Sequence, residues 1–281
     1  MNYRHIYHAG NFADVLKHAV LARLIDYLKL KDKPFRVIDT HAGIGVYDLS
    51  SDEAQKTGEW HGGIGRLLGK DLPKGVAPLL APYLDVVKAL NAASSVRLYP
   101  GSPKLSRMLL RKEDRLSLME LHPADCETLR GHFDGDFQTR VTHLDGWLAL
   151  NAHLPPKEKR GLVLVDPPFE EPNEYERLVD GFAKAWRKFP TGVYCLWYPL
   201  KRGAPIKAFH TALHGLEIPK MLCAELSVKS EREDGLSGSG LIIVNPPYTL
   251  KGELDILLPF LQQQLAQDRF GRARSFWIRG E

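Results

Sequence analysis

The stretch that decides the fold reads Phe35-Arg36-Val37-Ile38-Asp39-Thr40-His41-Ala42-Gly43-Ile44-Gly45. Its first five residues form a short, mostly apolar run that ends in an acid, which is typical of a buried strand. Two glycines separated by one residue follow soon after, so the chain can turn tightly and bring its backbone close to a ligand. The stretch therefore predicts the first strand of an α/β sheet, followed by a binding turn.

Six further apolar runs follow along the 281-residue chain, and most of them end in a small or acidic residue. They lie at 116–120, 139–144, 162–165, 193–198, 221–228 and 241–244. Short buried runs that alternate with helical patterns indicate a parallel sheet with both faces covered. We therefore predict an α/β fold with a seven-stranded, mostly parallel sheet. The loop between the last two runs is too short for a crossover helix, so these two strands are predicted to be antiparallel neighbours.

The first predicted helix begins after Asn11, a residue that favours the N-cap, with Asp14 as its capping-box partner. An apolar residue then recurs at every fourth position and predicts one apolar stripe, formed by Leu16, Val20, Leu24 and Leu28. Further helical patterns cover 103–110, 125–131, 175–187 and 254–267.

The connection between the first and second predicted strands is unusually long. It spans about 75 residues, whereas a crossover needs only about a dozen. We therefore predict a helical insertion at 49–95 within a main domain formed by 1–48 and 96–281. The alternative is a longer helix pair packed on the sheet.

The composition is that of an ordinary globular protein, with 44% hydrophobic and 26% charged residues. No apolar run approaches the ~18 residues of a membrane span, and the N-terminus lacks the apolar core of a signal peptide. Three cysteines without a CxxC pair predict neither a disulfide framework nor a zinc cage. These features predict a cytoplasmic protein. The net charge of +4 permits a polyanionic partner but does not require one.

The acids at the predicted strand ends indicate what the turn binds. A dinucleotide fingerprint needs a third glycine, but the chain has Asp48 at that position. The pattern therefore favours a nucleoside-type cofactor without a pyrophosphate. Glu120 ends the second strand, where it can bind ribose hydroxyls, and Asp145-Gly146 ends the third, where it can meet an adenine. The alternative for each acid is a helix N-cap.

The sharpest motif is Asp166-Pro167-Pro168-Phe169, at the end of the fourth predicted strand. It is the signature of enzymes that methylate an exocyclic amino group. Such an amine is a poor nucleophile, because its lone pair is conjugated into the ring. The Asp166 carboxylate and the Pro167 carbonyl can accept its two N–H groups, and Phe169 offers a face for an unstacked base. The alternative is a loop that merely contains two prolines.

Three other features are weaker. Asn245-Pro246-Pro247-Tyr248 also matches the motif, but it follows the seventh strand, and we predict a structural role. His5 and His8, with His18 and His41, could suggest a metal site, yet their spacing includes no carboxylate or cysteine as a further ligand, and we predict no metal. Lys17 lies in the second turn of the first helix, where it either faces a ligand or is solvated.

The chain resembles the RlmJ family of bacterial 23S ribosomal RNA adenine-N6 methyltransferases, nearly end to end. The resemblance is carried by Tyr3-Arg4-His5, His8-Ala9-Gly10-Asn11, Ala13-Asp14-Val15-Leu16-Lys17-His18, Asp39-Thr40-His41-Ala42-Gly43, Tyr99-Pro100-Gly101-Ser102-Pro103, Glu120-Leu121-His122-Pro123, Asp166-Pro167-Pro168, Leu196-Trp197-Tyr198-Pro199 and Asn245-Pro246-Pro247. It implies a Rossmann-like methyltransferase fold with a helical insertion. One departure is Phe169, where the family usually has tyrosine, so the ring is kept and a hydroxyl is lost.

The resemblance also implies roles for individual residues. S-adenosyl-L-methionine would be contacted by His18, His41, Ser102, Glu120, Asp145, Gly146 and Asp166. Asp166 would be the catalytic residue, and the target RNA would be contacted by Tyr3, with Lys17, Pro167 and Phe169 as further candidates. The expected substrate is 23S rRNA, protein-free or an early precursor, and we expect a monomer with no obligate protein partner. The rival interpretations are a DNA adenine-N6 methyltransferase and a non-catalytic nucleic-acid-binding protein linked to the use of external DNA.

Overall fold

A computed structural model of the chain describes residues 4–91, 96–230 and 235–280. Within these ranges the strands are β1 (Arg36–Asp39), β2 (Val46–Asp48), β3 (Leu98–Pro100), β4 (Arg115–Glu120), β5 (Thr139–His143), β6 (Gly161–Val165), β7 (Val193–Lys201), β8 (Met221–Ser227), β9 (Leu236–Val244) and β10 (Arg272–Arg279). The α-helices are α1 (Phe12–Lys29), α2 (Asp52–Thr57), α3 (Ala77–Ala89), α4 (Ser102–Leu109), α5 (Pro123–His132), α6 (Gly146–Ala152), α7 (Glu174–Lys188), α8 (Ile206–Gly215) and α9 (Leu250–Leu265).

The main sheet has the strand order β10-β8-β9-β7-β6-β1-β4-β5. Strands β5, β4, β1, β6 and β7 are parallel, whereas β9 is antiparallel to both of its neighbours, and β10 is antiparallel to β8. The α/β class, the mostly parallel sheet and the antiparallel pair are confirmed. Because five parallel strands end at one edge, the residues that follow them are brought together there.

The predicted number of seven strands is wrong, because β10 adds an eighth strand to the sheet. All seven predicted strands are present. Strand β10 has the sequence Arg-Ala-Arg-Ser-Phe-Trp-Ile-Arg and lies at the edge of the sheet, next to β8. Edge strands commonly carry charged side chains that discourage pairing with other chains, so this segment lacks the apolar run by which the buried strands were identified.

Helix α1 is a buried helix rather than one with a single apolar stripe. Asn11 caps it as predicted, since its side chain accepts hydrogen bonds from the backbone N–H groups of Ala13 and Asp14. The Asp14 carboxylate does not return to Asn11, as a capping box would require, and instead accepts from Gly10 N. The helix packs against β6 and β9 of the sheet and against α3, α4 and α9. It is therefore covered on nearly all sides, so the predicted stripe is buried and the burial extends well beyond it.

The remaining helices agree with the sequence to different degrees. Helices α4, α5, α7 and α9 lie where helices were predicted, with ends that differ by up to four residues. Helices α6 and α8 were not predicted. The segment predicted as an insertion is helical in its described part, with α2, α3 and two 3-10 turns (Glu59–Gly62 and Ile64–Arg66). Its α3 packs on α1 and α4, and strands β2 and β3 pair across its two ends.

Among the described residues, none of the helices combines the length and apolar character that a membrane crossing would need.

The all-round burial of α1 leads to a stability test. Leu24 belongs to the predicted stripe and Ile25 does not, yet both are fully buried. We expect Leu24→Ala and Ile25→Ala each to lower the free energy of unfolding by about 2–5 kcal/mol, because each leaves a cavity in the core. Denaturant unfolding followed by circular dichroism measures both.

The matched control is Leu30→Ala at the end of the same helix, where the side chain is 77% exposed. It should change stability by less than about 0.5 kcal/mol. A near-neutral Ile25→Ala would show that the helix is buried on one side only.

Candidate active site

A cleft of about 610 Å³ lies at the edge of the sheet where the parallel strands end. Every described residue that the sequence singled out for the cofactor or the substrate lines this cleft: Lys17, His18, His41, Ser102, Glu120, Asp145, Gly146, Asp166, Pro167 and Phe169. Tyr3 lies outside the described residues. The segments 17–18, 102, 120 and 145–169 are far apart in sequence, so the fold brings together what the motifs predicted separately.

The glycine turn after β1 is tied to the end of β4. Gly43 has a φ of +62°, which favours glycine, and a Cβ there would lie 2.3 Å from the Tyr47 hydroxyl. Its N–H donates to Glu120 Oε2 at 2.8 Å, and His122 N–H donates to Oε1 at 2.7 Å. Burial raises the pKa of Glu120. Each carboxylate oxygen keeps a further acceptor site, so Glu120 is held rigidly and can still bind hydroxyl groups.

Asp145 serves as a helix N-cap and also lines the cleft. Its Oδ1 accepts from Trp147 N–H at 2.7 Å, and its Oδ2 lies 3.5 Å from Arg177. The capping alternative considered from the sequence is therefore observed for this acid. Glycine is required at Gly146, because a Cβ there would lie 2.2 Å from the Thr40 carbonyl oxygen. Arg177, whose guanidinium also covers the Trp147 ring, had no signal in the sequence.

Ser102 begins α4 and donates a 2.6 Å hydrogen bond to Asp39 Oδ2. Asp39 is fully buried at the end of β1, and burial raises the pKa of its carboxyl to about 7. The hydroxyl of Ser102 is thus used within the protein, and the two residues fix α4 against the glycine turn.

A buried chain of charges crosses the floor of the cleft. Lys17 Nζ lies 2.5 Å from Asp166 Oδ2 and 2.9 Å from Asp14 Oδ1. Burial would lower the pKa of Lys17, but the two carboxylates outweigh it and raise that pKa. Lys17 is therefore a buried ammonium rather than a solvated one. Asp14 was predicted only as a capping residue, although an acid three positions before a lysine on one helix does signal such a pair.

Asp166 keeps one carboxylate oxygen available. Its Oδ2 is bound by Lys17, whereas its Oδ1 makes no hydrogen bond with the described residues. The side chain is 15% exposed and faces the cleft. The ion pair with Lys17 therefore fixes the orientation of the carboxylate and leaves its second oxygen facing the cleft.

Phe169 is more enclosed than the sequence suggested. It has a φ of +52°, and its ring makes edge contacts with Tyr175 at 4.7 Å and with Trp197 at 5.6 Å between centroids. Only 9% of the residue is exposed. Its role as a stacking surface for a base stays a prediction, and Pro167 lines the cleft beside it.

The two histidines that were predicted to contact the cofactor are neutral. Burial lowers the pKa of His18 to about 3 and that of His41 to about 4. His18 Nδ1 lies 2.8 Å from the Tyr99 hydroxyl, and His41 Nδ1 lies 2.8 Å from Thr40 Oγ1.

The four histidines weighed as metal ligands have separate partners, since His5 binds Asp14 and His8 binds Glu59. Among the described residues, the one group arranged as metal ligands would be is formed by His210, Cys223 and Glu225, outside this cleft.

The cleft is acidic. Nine of its described lining residues are carboxylic acids: Asp14, Glu59, Glu120, Asp125, Asp145, Asp166, Glu170, Glu171 and Glu174. Its lysines and arginines are Lys17, Arg177 and Lys201. An acidic cleft with neutral imidazoles suits a cationic ligand such as a sulfonium and disfavours a pyrophosphate, which agrees with the missing third glycine.

The second proline motif lies at the other edge of the sheet. Strand β9 runs against β7, so Asn245 falls beside the start of β7, and its side-chain amide donates to the carbonyls of Pro190 and Gly192. Tyr248 is 87% exposed. The geometry supports the structural role predicted for this motif.

The raised pKa of Asp39 leads to a pH prediction. The folded protein holds a proton on Asp39 that the unfolded chain releases at lower pH, so this group's contribution to stability falls as the pH rises toward 7. Asp39→Asn removes the titration. We expect the stability of this variant, relative to the parent, to rise by roughly 2 kcal/mol between pH 5 and 7.

Urea unfolding of both proteins across this range provides the measurement. A difference that does not change with pH would contradict a buried, protonated Asp39. Asp134→Asn is the control at an exposed aspartate and should show no such trend.

The chain matches known proteins along nearly its full length. Residues 32–279 match the family described as Ribosomal RNA large subunit methyltransferase D, RlmJ. The chain is 44% identical over 280 residues to Ribosomal RNA large subunit methyltransferase J of Escherichia coli, covering 99% of each chain. The protein of the same name from Haemophilus influenzae is 41% identical, with 100% of each chain covered.

A solved structure is also similar. The crystal structure of protein LPL1258 from Legionella pneumophila has a TM-score of 0.88 and 38% identity, covering 96% of this chain and 98% of that one. With these matches over nearly its full length, the chain belongs to the RlmJ family of ribosomal RNA large subunit methyltransferases.

Proposed function

We propose that this chain transfers a methyl group from S-adenosyl-L-methionine to the N6 amine of one adenine in 23S ribosomal RNA. The observation that carries the proposal is the Asp166-Pro167 strand end, where a carboxyl group held by Lys17 faces the cleft with one oxygen available. The name shared by the family and its two relatives supports ribosomal RNA as the substrate. The family's substrate also supports a cytoplasmic location, and we infer a monomer that acts on protein-free or precursor RNA.

The residues of the cleft fit the cofactor. Glu120 is placed to accept hydrogen bonds from ribose hydroxyls, and Asp145 and Gly146 line the place for an adenine ring. The neutral side chains of His18 and His41 add no positive charge near a sulfonium. When bound, S-adenosyl-L-methionine supplies an electrophilic methyl group on a positively charged sulfur.

Asp166 and Pro167 prepare the amine. The Asp166 Oδ1 and the Pro167 carbonyl oxygen accept its two N–H groups, which favours a pyramidal nitrogen with its lone pair directed away from the two oxygens. Lys17 holds the other oxygen of Asp166, so the carboxylate cannot rotate away. Because the amine must leave its base stack to reach this point, the adenine is bound either flipped out or already unpaired.

To test the reaction, the protein is incubated with S-adenosyl-L-methionine and either protein-free, unmodified 23S RNA or DNA, in parallel. Nucleosides from the digested products are identified by mass spectrometry. N6-methyladenosine from RNA alone is the expected result. Methylation of DNA alone would indicate the rival enzyme, and the absence of product from both would favour a nucleic-acid-binding protein.

The role of Asp166 leads to a mutational prediction. We expect Asp166→Ala to lower kcat for methyl transfer by at least about 10²-fold, since the amine loses its acceptor. The affinity for S-adenosyl-L-methionine, measured by calorimetry, should stay within about threefold. The control is Asn245→Gly in the second proline motif, where a φ of +52° accommodates glycine. This control should keep kcat within about twofold, and full activity of Asp166→Ala would refute the assignment.

The role of Glu120 is tested separately. Glu120→Ala should weaken the binding of S-adenosyl-L-methionine by about tenfold or more, because it removes hydrogen bonds to a charged acceptor. Calorimetry measures the affinity, and thermal melting verifies that the variant is folded. Glu127→Ala on the neighbouring α5, where the side chain is 78% exposed, is the control. Unchanged affinity in Glu120→Ala would remove this residue from the cofactor site.

A further inference from the structure

The acidic cleft raises the question of where the protein holds a polyanion. RNA brings one negative charge per nucleotide, and carboxylates around the reacting base repel those charges. A basic surface next to the cleft is therefore required if an RNA is to bind with its adenine inside.

Such a surface is present as a second groove of about 860 Å³, formed by the end of β7, helix α8, the end of β8 and the start of β10. Its described lining contains five lysine or arginine side chains and two histidines: Lys201, Arg202, Lys207, Arg272, Arg274, His210 and His214. Glu225 is the only acid among the described lining residues. We refer to this surface as the basic groove.

The basic groove adjoins the active-site cleft. Lys201, the last residue of β7, lines both. Strands β7 and β8 end at the same edge of the sheet as β6, and β10 begins there because it is antiparallel to β8. Lys201 on β7 and Arg272 and Arg274 on β10 therefore lie at the same edge of the sheet and line one groove.

Glu225, the one acid among the described lining residues of the groove, does not prevent the binding of a polyanion there. Glu225 is buried, and it is bound by Arg274 at 2.5 Å and by the Tyr198 hydroxyl at 2.8 Å. Its charge is thus used to hold Arg274, whose side chain remains 62% exposed. The same guanidinium disfavours a metal ion on His210, Cys223 and Glu225, since it already neutralises the one carboxylate of that group.

We propose that the basic groove binds the phosphate backbone of the RNA next to the target adenine. This inference rests on the proposed function and assigns the place where that substrate is held. On this proposal the basic groove contributes to the affinity for RNA, and it takes no part in the chemical step or in cofactor binding.

The test uses the full chain with Lys207→Glu and Arg272→Glu combined. Both side chains are exposed, and neither lines the active-site cleft. We expect KM for protein-free 23S RNA to rise at least tenfold, with kcat and the affinity for S-adenosyl-L-methionine unchanged. The slope of log affinity against log salt, measured by fluorescence anisotropy on an RNA fragment, should fall in magnitude by about two, one for each lost phosphate contact.

The matched control combines Lys31→Glu and Lys33→Glu, which make the same change in net charge. Lys31 and Lys33 are exposed and precede β1, at the edge of the sheet opposite the cleft. The control should bind RNA within twofold of the parent protein. Equal losses in both double variants would reduce the effect to net charge and overturn the proposal, as would an unchanged affinity in the groove variant.

Anisotropy separates this proposal from the proposed function. A parent protein that binds RNA without methylating it would refute the proposed function, and the groove would still be judged by the two double variants. A parent protein that binds no RNA would overturn the groove proposal as well.

Discussion

The structure depends on the buried ammonium of Lys17. Lys17 lies on α1, where it pairs with Asp14 of the same helix. Its second ion pair, with Asp166, connects this helix to the end of β6. Breaking a buried ion pair by removing one partner costs about 3–5 kcal/mol, because the remaining charge stays uncompensated. The three groups therefore constrain one another. The strand end that carries Asp166 is thereby held to α1, and α1 is itself enclosed by the sheet and three helices.

The same contact connects folding with chemistry. Burial raises the pKa of carboxyl groups such as Asp39, and it would act on Asp14 in the same direction. For Asp14, the nearby His5, Lys17 and His18 reverse the effect and hold its pKa well below the usual range. The pKa of Asp39, at the end of β1, is thus raised, whereas the pKa of Asp14, on α1, is lowered. The difference comes from the neighbouring charge, since both acids are buried.

Much of this arrangement could be predicted from the sequence. Apolar runs identified seven of the eight strands of the main sheet, and the residues that follow β1, β4, β5 and β6 lie together in the cleft. Strand β10 was not predicted, because it is held in the sheet by pairing with β8 and has no apolar pattern of its own. The burial of α1 on nearly all sides was not predicted, because it depends on helices from distant parts of the chain that pack against α1. The pairing of Lys17 with Asp166, 149 positions away, is likewise a property of the tertiary structure.

The two proline motifs show why strand direction decides what a motif can do. Asp166-Pro167-Pro168 follows β6, which is parallel to β1, so it opens into the cleft beside the glycine turn. Asn245-Pro246-Pro247 follows β9, which runs the other way, and its amide holds the loop before β7. Nearly the same residues therefore either present hydrogen-bond acceptors to a ligand or hold a loop in place.

The reversal of β9 also places the ends of β7 and β8 on either side of the start of β9, and there the basic side chains gather next to the acidic cleft. The direction of one strand thus determines which proline motif faces the cleft and where basic side chains collect beside it.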